Sequence, residues 1–304
     1  MLGKVSRVTN PQTLLDPSAV ARLSNLQIRA NAIVEGFLTG LHQSPYHGFS
    51  VEFSQHRQYM PGDSLKHLDY KVLAKTGRYY IKQYEEETNL KSYILLDHSG
   101  SMGYGSGDVT KLDYGEALAA ALSLMLLKQR DAVGLVTFDQ KVSTIMPPHS
   151  AMGWLHPLLT QLAGLEPSGE TKVASALFDI AERVKRKGLI VLISDMLDDP
   201  DEVMAGLRAL RHIGHEVLVF QILDPMELSF AFPRDSRFKD LETGEVLASR
   251  PWHIREEYKK LIREFVDNYK NRCRSERIDY QMFSTDSPYG IALFEFLDRR
   301  RRML

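Results

Sequence analysis

The sequence has a single cysteine, Cys273, among 304 residues. That excludes an intramolecular disulfide framework and any zinc site built on a cysteine cluster. An excess of basic charge is also missing: 38 Lys+Arg face 39 Asp+Glu, a formal net charge of −1. A general nucleic-acid coat would need that excess to release counterions, so nucleic acid is not an expected partner. Long apolar runs are lacking too. The most apolar stretch, Ala117 to Leu127, falls well short of the ~20 residues of a membrane span. No secretory signal is expected at the start, because Lys4 and Arg7 lead into Thr9, Asn10, Pro11 and Gln12 rather than an apolar core. There are no internal repeats and no low-complexity segment. With 43% hydrophobic and 25% charged residues, the composition is that of a folded chain with a large core. The expectation is a soluble, cytoplasmic protein.

Three zones separate along the chain. In the first, residues 1–44, Asp16-Pro17 reads as a helix cap with proline in the first turn. Val20, Leu23, Leu26, Ala30, Ile33, Val34, Phe37 and Leu38 then recur at helical spacing, and Gly40 is the expected stop. Such a helix packs on its own protein or binds a partner. The second zone, 45–90, has strand-like alternation at Phe49–Phe53, a turn at Met60–Asp63, a short helical pattern at Ser64–Ala74 and a β-prone run at Arg78–Tyr84. It reads as a small β-rich elaboration, with Glu85–Glu87 a solvated turn.

The third zone, 91–304, alternates strand-like and helix-like runs. Strands are expected at Tyr93–Asp97, Ala132–Phe138, Leu189–Asp195, Glu216–Leu223 and Ile278–Ser284, with a short one at Lys141–Met146. Helices are expected at Lys111–Arg130, Trp154–Ala163, Lys172–Arg186, Glu202–His212, Ile254–Arg274 and Tyr289–Arg300. This rhythm predicts an α/β fold with a mostly parallel sheet and helices on both faces. Residues 237–249, turning at Thr243-Gly244, read as an inserted hairpin.

Ligands of such sheets collect at the carboxyl ends of the strands. One strand ends in Asp97-His98-Ser99-Gly100-Ser101 and another in Ser194-Asp195. A loop, Ser168-Gly169-Glu170-Thr171, sets Thr171 just before a helix. Two carboxylates and three hydroxyls at one edge make an all-oxygen site, suited to Mg²⁺, Mn²⁺ or Ca²⁺. Taken singly, Ser99 and Thr171 would suit turn or helix caps and Asp195 a loop carboxylate. Met102–Gly107 is glycine-rich but lacks phosphate-loop spacing, so a flexible loop is expected there. His98 invites a hydrolase reading, although sequence neighbours point apart at a strand end. His212 and His215 read as a helix C-terminal cap, Asp198 and Asp199 as turn acids or the cap before Pro200, and Arg299–Arg302 as a solvated helix end.

Asp97-x-Ser99-x-Ser101, then Thr171, then Asp195 resembles the metal-ion-dependent adhesion site (MIDAS) of von Willebrand factor A domains. All five positions are present in the family's order. Arg57-x-Tyr59-x-Pro61-Gly62-Asp63 followed by Leu68-Asp69-Tyr70-Lys71 resembles the segment preceding the A-like domain in bacterial DUF58 proteins. Departures are Tyr70 for a usual Trp and Lys66 and Lys75 for a frequent Arg; none touches a metal position. The resemblance implies a Rossmann-like sheet ordered 3-2-1-4-5-6 with one antiparallel edge strand. It implies no catalytic residues, but a magnesium-type ion (Mg²⁺, Mn²⁺ or Ca²⁺) whose open position takes an acidic side chain of a partner protein. DUF58 proteins are commonly associated with MoxR-type AAA+ ATPases, in assembling or activating other complexes. The alternatives are a phosphatase-like metal-dependent hydrolase on the same carboxylates, or a structural adaptor whose metal site is vacant.

Overall fold

The computed structural model describes residues 15–43, 56–58, 80–82, 91–169, 171–232, 236–239, 246–249 and 251–303. The elements are α1 (Pro17–Ala21), α2 (Leu26–Gln43), β1 (His56–Gln58), β2 (Tyr80–Lys82), β3 (Lys91–Asp97) and α3 (Lys111–Lys128). There follow β4 (Ala132–Phe138), β5 (Val142–His149), α4 (Leu155–Ala163), α5 (Val173–Arg183) and β6 (Leu189–Ser194). The chain continues through α6 (Pro200–Ile213), β7 (Glu216–Leu223), α7 (Pro225–Ser229), β8 (Ser236–Lys239) and β9 (Val246–Ser249). It ends with α8 (Pro251–Ser275), β10 (Asp279–Ser284) and α9 (Tyr289–Met303).

The central sheet has six strands in the order β10-β7-β6-β3-β4-β5. Every neighbour is parallel except edge strand β5, which runs antiparallel to β4. Read from the β5 edge and renumbered within the sheet, this is 3-2-1-4-5-6, as the von Willebrand resemblance implies. The side chains divide by alternation, the strand period of two. Ile94 and Leu96 of β3 join Val191 and Ile193 of β6 under α2, α3, α4 and α9. Leu95, Ile190 and Leu192 join the opposite core with α5, α6 and α8.

Helix α3 is buried from Lys111 to Leu127 on almost every side. That explains its uniformly apolar run: one side meets the sheet and the other meets α2, α4 and α9. A reciprocal capping box starts it, with Asp113 N donating to Thr110 Oγ1 and Thr110 N to Asp113 Oδ2, both at 3.0 Å.

Several expectations are corrected. The N-terminal helix is two helices, because Asn25 Oδ1 accepts from Ile28 N at 2.8 Å and caps a fresh start. Gly40 does not stop it; α2 runs to Gln43. Strand β6 ends at Ser194, leaving Asp195 in the turn beyond. Strand β5 reaches His149 rather than Met146. Asp199 caps α6 ahead of Pro200, as one of the two readings held. The C-terminal cap of α6 is Gly214 at φ 98° rather than a histidine. His215 is buried instead, its Nε2 2.9 Å from the Val184 carbonyl where α5 ends. Arg300 is not solvated: it is 8% exposed and pairs with Asp131 and Gln129. Arg299 pairs with Asp279 at 3.0 Å.

Strands β8 and β9 pair antiparallel within the expected hairpin, and β1 pairs with β2. The Phe49–Phe53 strand, the Met60–Asp63 turn, the Ser64–Ala74 helix, Glu85–Glu87 and the Thr243-Gly244 turn lie outside the described residues.

Candidate metal centre

Strands β3 and β6 are neighbours at the middle of the sheet, so their carboxyl ends place Asp97 and Asp195 side by side. Three loops then meet there. The chain after β3 turns through a 3₁₀ segment at Gly100–Gly103. The loop before α5 is stitched to it: Gly100 N donates to the Gly169 carbonyl at 3.0 Å and Ser168 N to the His98 carbonyl at 2.9 Å. Gly169 sits at φ 72°, a conformation that glycine adopts without a Cβ penalty. These contacts bring Thr171 to Ser101.

The three hydroxyls form a chain. Ser99 Oγ lies 3.2 Å from Ser101 Oγ, which lies 3.1 Å from Thr171 Oγ1. Ser99 is fully buried, Thr171 nearly so, and Ser101 is half-buried at the rim. Asp97 is fully buried; its Oδ1 accepts from Ser99 N at 2.9 Å and its Oδ2 from Ser194 Oγ at 2.6 Å. Burial first, and the Asp195 charge second, push the Asp97 carboxyl up to about 7, against the pull of the Ser194 and Ser99 hydrogen bonds.

Asp195 has company that sequence reasoning missed. Lys111 Nζ donates to Asp195 Oδ2 and to Glu227 Oε1, each at 2.7 Å, with the lysine side chain wholly buried. Burial would lower the Lys111 pKa, but the two carboxylates outweigh it, so the group is held charged and above its ordinary value. The other Asp195 oxygen accepts from Leu197 N at 3.2 Å. Glu227 reaches the site from α7, where it completes a capping box with Asp224. That motif, Asp224-Pro225-Met226-Glu227, was a readable helix start; its lysine partner was not.

The expected flexible loop at Met102–Gly107 is anchored, since Lys111 N donates to the Tyr104 carbonyl at 2.9 Å and Ser106 N to Asp224 Oδ2 at 2.8 Å. Met196, next to Asp195, holds a left-handed φ of 57° while fully buried. Tyr269 Oη donates to its carbonyl at 3.2 Å. A non-glycine residue in that region is strained, and its neighbours hold it. His98 Nε2 is 3.1 Å from Ser143 Oγ, and its buried Nδ1 has no hydrogen-bond partner among the described residues. Among the described residues no carboxylate is hydrogen-bonded to that imidazole, as the acid of a triad would be. Cys273 is buried, and burial pushes its thiol up to about 12, far from a reactive thiolate.

The donor set fits a small hard cation. Oxygens that share an octahedral shell at 2.0–2.1 Å from Mg²⁺ stand about 3 Å apart. The neighbouring hydroxyls have nearly that separation, at 3.2 and 3.1 Å. Among the described residues no three His, Cys, Asp or Glu side chains converge as a metal cage.

Comparison with other proteins gives the following likenesses. The chain is 28% identical over 252 residues to the uncharacterized protein Rv1480 of Mycobacterium tuberculosis, covering 80% of this chain and 79% of that one. The conserved hypothetical protein BatB from Bacteroides thetaiotaomicron is 16% identical, with a TM-score of 0.45 over 70% of this chain and 99% of BatB. The SpRpn10 VWA domain is 14% identical, with a TM-score of 0.33 over 44% of this chain and 75% of that domain. Among the described residues no helix is long and apolar enough to cross a membrane. The family model described as "Protein of unknown function DUF58" matches residues 55–266, and the chain belongs to that family.

Proposed function

We propose that the chain is a metal-dependent, non-enzymatic protein-interaction module. The observation that carries this reading is the Ser99–Ser101–Thr171 hydroxyl chain at the carboxyl edge of the sheet, flanked by Asp97 and Asp195. Ser99, Ser101 and Thr171 would hold Mg²⁺ or Mn²⁺ directly. Asp97 and Asp195, whose oxygens already accept hydrogen bonds, would act through water. The ion would supply a positive charge at the rim, where an acidic side chain of another protein is the favoured occupant. The partner in this reading is a MoxR-type AAA+ ATPase or its client. A partner that consumes ATP goes with a cytoplasmic location.

A pull-down of that ATPase with Mg²⁺ and with chelator, on the native chain and on Ser99→Ala/Ser101→Ala, tests the reading. Capture that needs Mg²⁺ and is lost in the double variant supports it. Equal capture under all conditions removes the metal bridge while leaving the partnership. A second reading, a structural adaptor with a vacant site, draws on one observation: the Lys111 ammonium already neutralises Asp195.

A further inference from the structure

We propose that Lys111 is a tethered cation that competes with a divalent ion for Asp195 and so sets how tightly the hydroxyl cluster holds metal. The inference rests on the metal-site reading above and deepens it. Lys111 is the first residue of α3, directly after the Thr110 cap. From there its side chain crosses to the end of β6 and to α7, bridging Asp195 and Glu227 at 2.7 Å each. Glu227 is itself fixed, because its second oxygen accepts from Asp224 N at 2.8 Å. The Tyr104 ring lies over the ammonium, 6.0 Å from centroid to Nζ. A buried lysine with two carboxylate partners and an aromatic cover is a built feature of this edge of the sheet.

Its effect on an ion follows from charge. Asp195 is already matched, so it attracts an incoming cation less than a free carboxylate would. The ammonium also repels the ion across a poorly screened interior. Lys111 therefore lowers metal affinity, whereas Ser99, Ser101, Thr171 and Asp97 raise it. Glu227 shares the ammonium, and neutralising it hands Lys111 wholly to Asp195. A lysine with a merely structural role would give one sign for every substitution in the cluster. Competition gives two.

The test is a Mn²⁺ titration of the full chain, comparing the native sequence with Lys111→Met, Glu227→Gln and Ser99→Ala/Ser101→Ala. Lys111→Met is expected to bind Mn²⁺ about tenfold tighter or more, and Glu227→Gln a few-fold weaker. Lys111→Met leaves two carboxylates without their cation, so its melting in chelator is followed alongside. Its rise in melting temperature on adding Mn²⁺ should exceed that of the native chain. Should it stay unfolded throughout, Glu227→Gln decides: weaker binding supports competition, and unchanged or tighter binding overturns it. Native binding that the serine variant loses, with no tightening in a folded Lys111→Met, overturns the role of Lys111 and leaves the metal site standing. Binding in Lys111→Met alone supports competition and removes the metal reading for the native chain. No binding in either removes both.

Discussion

Asp97 is the residue at which pH and metal meet. Its carboxyl is pushed up to about 7 from an ordinary value of 3.8, by burial and then by Asp195. Between those values the folded chain keeps a proton that the unfolded chain has released. The contribution is thus present below about pH 4 and lost as pH rises through about 7, worth up to roughly 4 kcal/mol. Glu116, pushed up to about 8 by burial and the Asp113 charge, works in the same direction, so the comparison needs Asp97→Asn. Denaturant melts in chelator should show the native chain losing stability between about pH 4 and 8, and Asp97→Asn losing less between about pH 4 and 7. A divalent ion at the site competes with the Asp97 proton, so the stabilisation by Mg²⁺ should be larger at the higher pH. An equal Mg²⁺ effect at both would mean that no proton leaves on binding. The five proposed site residues were legible because each stands where an apolar strand or a glycine-containing loop stops. Lys111 and Glu227 were not, because their contacts span 84 and 116 residues, beyond any spacing rule.

At the scale of elements, α2 lies outside the matched family segment yet sits inside the core. Ala30 and Ile33 are fully buried and Phe37 is 4% exposed, packed with α3 and α9. Phe37→Ala should therefore cost about 3–5 kcal/mol in a denaturant melt of the whole chain, in a single transition. A helix kept free for docking would leave the melt unchanged. Gly214 gives a second case: at φ 98°, with a Cβ placed 2.8 Å from Lys187 Cε, Gly214→Ala should cost about 1–2 kcal/mol. Most of that is backbone strain, because the lysine end can move. Strands β4 and β7 matched their apolar runs residue for residue, since buried parallel strands are continuous in hydrophobicity. The break between α1 and α2 was hidden because Leu23 and Leu26 keep a helical spacing straight across it. Only the Asn25 cap marks it, and asparagine is common outside caps.

For the molecule as a whole, the candidate site rests on a frame whose stability comes from elsewhere. Two apolar cores, one on each face, meet at the sheet, and the hydroxyl cluster sits at its edge. Replacing Ser99 and Ser101 removes hydrogen bonds worth about 1 kcal/mol each and no large apolar surface. The double alanine variant should therefore melt a few degrees below the native chain in chelator, still cooperatively. With Mg²⁺ the gap should widen. An ion that binds only the folded state adds about 2.7 kcal/mol at a hundredfold excess over its dissociation constant. For a chain of this size that amounts to several degrees in melting temperature. The native chain should show the rise and the double variant should not. If the native curves in Mg²⁺ and chelator coincide, the edge of the sheet is held by its own lysine. The vacant-site reading then stands, and any partner must be recognised through contacts that need no ion.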